Sequence, residues 1–171
     1  MPRYVAFLRG VSPMNLKMPE LKLCLEKAGF TEVKTFLSSG NVAFNSRALT
    51  EGALEKKIEK AMEQHLDRVF YTIVRSVDSL QEILNNDPYQ EFKMKPGSKR
   101  VVTFLREKPA AKTKLPIELD NAQILKCIDK EIYSVYVPHP TKGPVFMNLI
   151  ERTFGKNVTT RTLETVKKVV R

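Results

Sequence analysis

Apolar residues recur along the first part of the chain in two spacings, one typical of helices and one typical of strands. Residues 21–28 follow the i, i+3, i+4, i+7 pattern of a helix that faces a core. A second helical stripe follows Thr50, a typical N-cap residue, and runs from Leu54 to His65. Runs rich in β-forming residues precede, separate and follow these helices, at residues 3–9, 33–37, 42–46 and 69–75. The pattern predicts the element order β-α-β-β-α-β.

The second half of the chain mixes the same two spacings. Strand-like runs occupy residues 100–106, 122–127 and 131–137, and helices are predicted before the first run and after the last. The final helix is predicted to begin after Thr159 and Thr160. We therefore predict an α+β fold, in which a ferredoxin-like βαββαβ subdomain of residues 1–76 precedes a second, smaller α+β subdomain of residues 77–171 with C-terminal helices.

A hairpin is predicted where the two short strands of the first half follow one another. Gly40 and Asn41 lie between them, and this pair of residues favours a two-residue turn. Such a turn pairs Leu37 with Phe44, because residues at equal distances from the turn lie opposite each other. Both side chains are then expected on the apolar face of the hairpin.

Positive charge is concentrated in two segments. The chain has 29 Lys and Arg residues against 19 Asp and Glu, a net charge of +10. Residues 1–92 sum to zero, whereas residues 93–114 carry +7 and residues 152–171 carry +5. Such an excess favours polyanions, because each phosphate contact releases counterions, although a merely solubilising surface is the alternative. The predicted basic surface consists of Lys93, Lys95, Lys99, Arg100, Lys108, Lys112, Lys114, Lys167 and Lys168.

The composition favours neither metal nor redox chemistry. Cys24 and Cys127 are too few for a disulfide framework and are interpreted as packed residues, and with only His65 and His139 no metal site is predicted. His65 is expected to be half-buried. No cofactor and no catalytic constellation is recognisable, so whether the protein is an enzyme stays open. The apolar runs are too short to span a membrane, and a cytoplasmic protein is expected.

Three small polar clusters fall where backbone groups are accessible to a ligand. They are Arg9 and Gly10 at the end of the first strand, Ser39, Gly40 and Asn41 at the hairpin tip, and Thr160, Arg161 and Thr165 around the predicted start of the last helix. A guanidinium beside hydroxyls and backbone N–H groups suits a phosphate or a carboxylate. Each cluster also has a structural explanation, namely a strand exit, a tight turn and a capped helix.

The same clusters carry a family resemblance that spans nearly the whole chain. The segments in question are Leu8-Arg9-Gly10-Val11, Ala28-Gly29-Phe30, Ser39-Gly40-Asn41-Val42-Ala43-Phe44 and Thr159-Thr160-Arg161-Thr162. In this order they resemble the bacterial family known as domain of unknown function 1697, except that Ser12 and Thr162 stand where that family has Asn. The resemblance implies an α+β fold with a ferredoxin-like first part. It implies no activity, since the family has no assigned biochemical function.

We hypothesise that Arg9, Ser39, Asn41 and Arg161 converge on one anion site. The function expected from this site and from the basic segments is that of a cytoplasmic anion-binding protein without evident catalysis, with nucleic acid as a candidate ligand. Two alternatives stay open. One is a site or an enzyme for a phosphate- or carboxylate-bearing metabolite, and the other is a protein-interaction module. No membrane partner is expected.

Overall fold

The computed structural model describes residues 1–109, 114–138 and 145–171. Helices are interspersed with strands along the chain, and the strands form antiparallel sheets. The protein therefore has an α+β fold, as predicted. The chain divides into two compact units, Met1–Asn85 together with Lys167–Arg171, and Asn86–Val166. The predicted boundary after residue 76 lies before the third helix, whereas the division of the structure lies near the end of it. Within the described residues, no helix is long and apolar enough to cross a membrane.

The elements of the first unit follow the predicted order β-α-β-β-α-β and add a third helix. They are β1 (Arg3–Leu8), α1 (Met18–Lys27), β2 (Thr31–Phe36), β3 (Asn41–Asn45), α2 (Glu51–Leu66), β4 (Thr72–Ser76) and α3 (Val77–Asn86). The four strands form one antiparallel sheet in the order β2-β3-β1-β4. The element order is therefore confirmed, and the ferredoxin-like label for this half stays a prediction.

Both helices of the β-α-β-β-α-β part contribute to one apolar core. Tyr4, Ala6 and Leu8 point from β1 to the same side because side chains alternate along a strand, and all three are buried there. The helices cover this side with apolar residues at helical spacing, including Leu21, Cys24 and Leu25 from α1 and Leu54, Ile58 and Met62 from α2. Thr50 caps α2 as predicted, since its hydroxyl accepts a hydrogen bond from Ala53 N at 3.1 Å.

The predicted register of the hairpin is wrong. Phe36 pairs with Asn41 and Thr35 with Val42, so four residues, not two, connect the strands. Leu37 lies in this connection with a φ of 58° and its side chain 51% exposed, and it does not share the apolar face with Phe44. The Gly-Asn pair suggested the shorter turn, but Asn41 is already part of β3 and only Gly40 belongs to the loop.

The chain of the second unit forms a five-stranded antiparallel sheet. After α3 it continues through β5 (Lys99–Phe104), β6 (Ile117–Leu119), β7 (Ala122–Ile128), β8 (Glu131–Tyr136), α4 (Val145–Phe154), β9 (Thr159–Thr162) and α5 (Leu163–Val169). The strand order is β6-β7-β8-β5-β9. Phe146, Leu149 and Ile150 of α4 belong to the same buried apolar cluster as Val101 and Ile132 of the sheet.

Two predictions for the second unit are corrected by these elements. Thr159–Thr162 is a strand that pairs with β5, not the start of a helix, and α5 begins one residue later, at Leu163. Three threonines in four residues are β-branched, and such residues favour a strand where a partner strand is available. The short strand β6 is not among the predicted strands of this half. His139 lies outside the described residues.

Candidate anion-binding site

The two N-terminal motifs lie side by side at one end of the first sheet. Leu8 N donates a hydrogen bond to the carbonyl oxygen of Gly40 at 2.9 Å. Gly40 has a φ of 84°, and a Cβ added there would lie 3.0 Å from side-chain atoms of Leu8 and Val11. Only glycine adopts this conformation and allows this approach without strain, so Gly40 has a structural role in joining the two motifs.

Asn41 holds the tip of the hairpin together from inside. Its side chain is completely buried, and Nδ2 donates to the carbonyl oxygen of Phe36 at 3.2 Å and to Ser39 Oγ at 3.0 Å. Buried polar groups require such partners, so the amide is part of the scaffold of the loop. Ser39 itself is exposed at the tip.

A closed loop follows β1 and contains Arg9 and Gly10. Arg9 N donates to the carbonyl oxygen of Tyr71 at 2.8 Å, and the Arg9 side chain is half-buried. Asn15 closes the loop, because its Nδ2 donates to Gly10 O at 2.8 Å and its Oδ1 accepts from Ser12 N at 2.9 Å. Sequence reasoning did not select Asn15, although an Asn three residues after a Ser in a turn-rich segment indicates such a local bridge.

The third motif presents its residues to opposite sides of β9. Thr160 lies opposite Thr103 on β5, with their Oγ1 atoms 2.8 Å apart, whereas Arg161 lies opposite Val102. Because successive side chains of a strand point to opposite faces, Thr160 and Arg161 do not face one ligand from the same side. Thr165 instead forms a hydroxyl pair with Thr162, whose Oγ1 is 3.0 Å from that of Thr165.

Arg161 is held against its own strand. One guanidinium nitrogen donates to Thr159 Oγ1 at 2.6 Å and to the carbonyl oxygen of Thr160 at 2.9 Å. Burial lowers the pKa of Arg161 to about 10, which still leaves the side chain positively charged at neutral pH. The arrangement provides a fixed positive charge on one face of the sheet of the second unit.

The predicted site residues fall in both compact units. Arg9, Gly10, Ser39, Gly40 and Asn41 belong to the first unit, and the structure brings their two motifs together. Thr160, Arg161 and Thr165 belong to the second unit. A single anion site formed by both groups stays a prediction.

A basic cleft is present in the second unit, next to the third motif. It has a volume of about 480 Å³ and is lined by Met94, Lys95, Gly97, Ser98, Lys99, Arg100, Thr162, Leu163 and Glu164. Its lining thus comes from both of the basic segments defined by the sequence. Lys95, Lys99 and Arg100 are exposed and line the same cavity, with the Thr162 hydroxyl and the Glu164 carboxylate also among its walls.

A tight turn shapes one wall of this basic cleft. Ser98 N and Ser98 Oγ both donate to the carbonyl oxygen of Lys95, at 3.2 and 2.6 Å, and Gly97 has a φ of 78°. Pro96 and Gly97 at the two central positions are typical of a type II turn. The sequence therefore indicates the turn, but it does not indicate that residues 162–164 line the same cavity.

The remaining residues of the predicted basic surface are distributed around this unit and beyond it. Lys93 lines a separate cleft of about 270 Å³, and Lys108 forms an exposed ion pair with Asp129 at 3.6 Å. Lys114 is exposed, Lys112 lies outside the described residues, and Lys167 and Lys168 belong to the segment grouped with the first unit. Of the eight predicted positions that the structure describes, three therefore line the basic cleft.

Both cysteine thiols have a raised pKa. Cys24 is buried, which raises the pKa of its thiol, and Cys127 is half-buried, with its pKa raised by burial and then by Glu131 and Asp129. Raised pKa values disfavour the nucleophilic thiolate. His65 is exposed, not half-buried as predicted, because it lies near the end of α2 beyond the core stripe. Among the described residues, no group of three His, Cys, Asp or Glu side chains could hold a metal ion.

The fold and the clefts define a small α+β protein with positively charged surfaces. A family model described as "Protein of unknown function (DUF1697)" matches residues 1–133, and the chain therefore belongs to this family. Among solved structures, the conserved bacterial protein SP0830 from Streptococcus pneumoniae is similar, with a TM-score of 0.73 and 20% sequence identity over 99% of this chain and 97% of that chain. At this identity the likeness establishes the fold alone. No curated protein matches the chain.

Proposed function

We propose that this protein binds nucleic acid through its phosphate backbone, and that the basic cleft of the second unit is a binding site. The observation that carries the proposal is that Lys95, Lys99 and Arg100 all line one cavity. The proposal includes a location in a bacterial cytoplasm, where RNA and DNA are the abundant polyanions.

The physical support comes from exposed charge and accessible hydrogen-bond donors. Flexible, exposed lysines contact phosphates at a low desolvation cost, and each contact releases condensed counterions. Ser98 and Thr162 also line the cavity, but their hydroxyls are engaged by Lys95 O and by Thr165, so the charged side chains are the groups that contact phosphate. Glu164 adds a carboxylate, which accepts hydrogen bonds from base amino groups and disfavours a phosphate at its own position.

The proposal is tested by binding of a single-stranded RNA oligonucleotide at about 50 and 200 mM salt. The variant Lys95→Gln with Lys99→Gln removes two positive charges from the basic cleft. We expect the slope of log K against log salt to become shallower by about 1.4, since each phosphate contact on a single strand contributes about 0.7. Lys95 loses only an exposed ion pair with Glu118, so the stability of the fold should change little.

A matched control removes the same charge elsewhere in the second basic segment. Arg152 and Lys156 are exposed and do not line the basic cleft, so Arg152→Gln with Lys156→Gln should retain the wild-type salt slope. Equal effects of the two double variants would show that net charge, not the cleft, is responsible. Binding that does not depend on salt in the wild-type protein would exclude a phosphate-backbone interaction.

A small anionic metabolite is the second candidate for the same cavity. A volume of about 480 Å³ lies within the range of small-molecule sites, and apolar Met94 and Leu163 line the cavity together with the charged groups. Competition by adenosine monophosphate separates the two candidates. If the mononucleotide binds as tightly as the oligonucleotide, the ligand is a metabolite, whereas an affinity that rises with oligonucleotide length supports nucleic acid.

A further inference from the structure

Residues 1–92 carry no net charge, yet the second helix, α2, separates acidic from basic side chains. Glu55 is 4% exposed, and its Oε2 accepts a hydrogen bond from Val74 N at 2.9 Å. Glu59 Oε2 accepts from Thr72 N at 3.2 Å. Both backbone groups belong to β4, which is the edge of its sheet, so two glutamates of α2 satisfy N–H groups that an edge strand leaves without a partner strand.

Two lysines of α2, Lys57 and Lys60, line a cleft between α2 and α1. Two clefts occur along the α1–α2 seam, with volumes of about 370 and 290 Å³, and both are lined by Lys27 and His65. Lys57 and Lys60 line the smaller cleft and Arg68 the larger one. We call the surface formed by Lys27, Lys57, Lys60, His65 and Arg68 the basic seam. All five residues are exposed. Among the described residues that line the two clefts, Glu20 is the acidic one.

Two contacts hold parts of the basic seam in place. The Lys57 ammonium lies 4.9 Å from the centre of the Phe30 ring, a cation–π distance, and Arg68 donates to the carbonyl oxygen of Asn15. Lys27 and Lys60 extend from the neighbouring helices α1 and α2. Positive groups spaced along a helix seam match a ligand with repeated negative charges better than a ligand with a single one.

We propose that the basic seam is a second binding surface for the nucleic-acid phosphate backbone, carried by the half of the chain that is neutral in sequence. This inference rests on the proposed function, because it assigns the same class of ligand to a different surface. Its physical basis is the separation of charge in α2. Glu55 and Glu59 are used inside the fold, so their charge does not cancel that of Lys57 and Lys60 at the surface.

The test compares two double variants with the same change in net charge. Lys57→Gln with Lys60→Gln alters the basic seam, whereas Lys22→Gln with Lys56→Gln alters exposed lysines of the same two helices that do not line either cleft. With single-stranded RNA, the seam variant should show a salt slope shallower by about 1.4, and the control should not. In the wild-type protein, bound RNA should protect Lys57 and Lys60 from acetylation and leave Lys22 and Lys56 reactive.

The outcomes separate this inference from the proposed function. If the wild-type protein binds RNA and the cleft variant loses affinity while the seam variant matches its control, the basic seam is not a binding surface and the proposed function stands. If only the seam variant loses affinity, the inference stands and the basic cleft is excluded. If the wild-type protein shows no salt-dependent binding, both are overturned. Circular dichroism and thermal unfolding confirm that each variant is folded.

Discussion

The hairpin motif of the first unit and the threonine-rich motif of the second unit use their polar residues in different ways. In the hairpin, Gly40 and Asn41 each have a role that other residue types cannot easily fill. Gly40 has a positive φ and close neighbours, and Asn41 has a completely buried amide. In β9, Thr160 pairs its hydroxyl with that of Thr103, an arrangement of two equivalent groups. The first motif should therefore be the more sensitive to substitution.

The difference also bears on where a ligand binds. Most polar groups of both motifs are engaged in hydrogen bonds within the fold, while Lys95, Lys99 and Arg100 are exposed and lie outside the motifs. Family motifs of this kind mark positions that the backbone requires, and they are an indirect guide to chemistry. The charged cleft beside a motif is the better indicator of a ligand.

The largest expected effect is that of Gly40→Ala. An alanine there must adopt a φ of 84° and place its Cβ 3.0 Å from Leu8 and Val11, so strain and overpacking add. We expect a loss of about 3 kcal/mol in the free energy of unfolding. Urea denaturation followed by circular dichroism measures it through the midpoint at an unchanged slope.

Gly10 provides the matched control for this substitution. Its φ is 80°, but a Cβ added at this position meets nothing within 4 Å. Gly10→Ala should therefore cost only the conformational strain, about 1 kcal/mol. Equal losses of unfolding free energy at Gly10 and Gly40 would mean that the close approach of the two motifs does not depend on the absence of a Cβ at Gly40.

The next effect in size is that of Asn41→Ala. The substitution removes the donor to Phe36 O and Ser39 Oγ from a completely buried position, and we expect a loss of about 2 kcal/mol. Ser39→Ala, at the exposed tip, should change stability by less than about 0.5 kcal/mol. Thermal unfolding of both variants measures these losses. A weaker affinity of Ser39→Ala for RNA, at unchanged stability, would instead support the predicted anion site at the hairpin.

The sequence predicts the order of the first elements well and the structure of the threonine-rich motif poorly. Apolar periodicity identified β1, α1, β2, β3, α2 and β4 in order, because each element must bury one face. It misassigned Thr159–Thr162, since hydroxyl residues before an apolar stripe look the same whether they cap a helix or form a strand that ends at one. The partner strand β5, distant in sequence, decides between the two.

Charge was the least predictable feature of the candidate surfaces. A sum of charges over a segment cancels Glu55 against Lys57, but the two side chains point to different sides of α2. Glu55 binds Val74 N of β4, whereas Lys57 lines a cleft. The four-residue spacing of Glu55 and Glu59 was visible in the sequence and indicates a common helix face. That this face meets the edge of β4 required the sheet order. Likewise, residues 162–164 join the basic cleft only through pairing of β9 with β5.

The smallest effect is expected at the hydroxyl pair of the second motif. Thr103→Val or Thr160→Val removes one hydroxyl and leaves the other without its partner at a part-buried position, at a cost of about 1 kcal/mol. The double variant removes both hydroxyls, and two valines fit a strand pair well, so its loss should be no greater than that of either single variant. A double-mutant cycle by urea denaturation measures this coupling. Additive losses would show that each hydroxyl has a separate role. A drop in RNA affinity in Thr160→Val alone would show that the Thr160 hydroxyl contacts the ligand and that the second motif is part of the binding site.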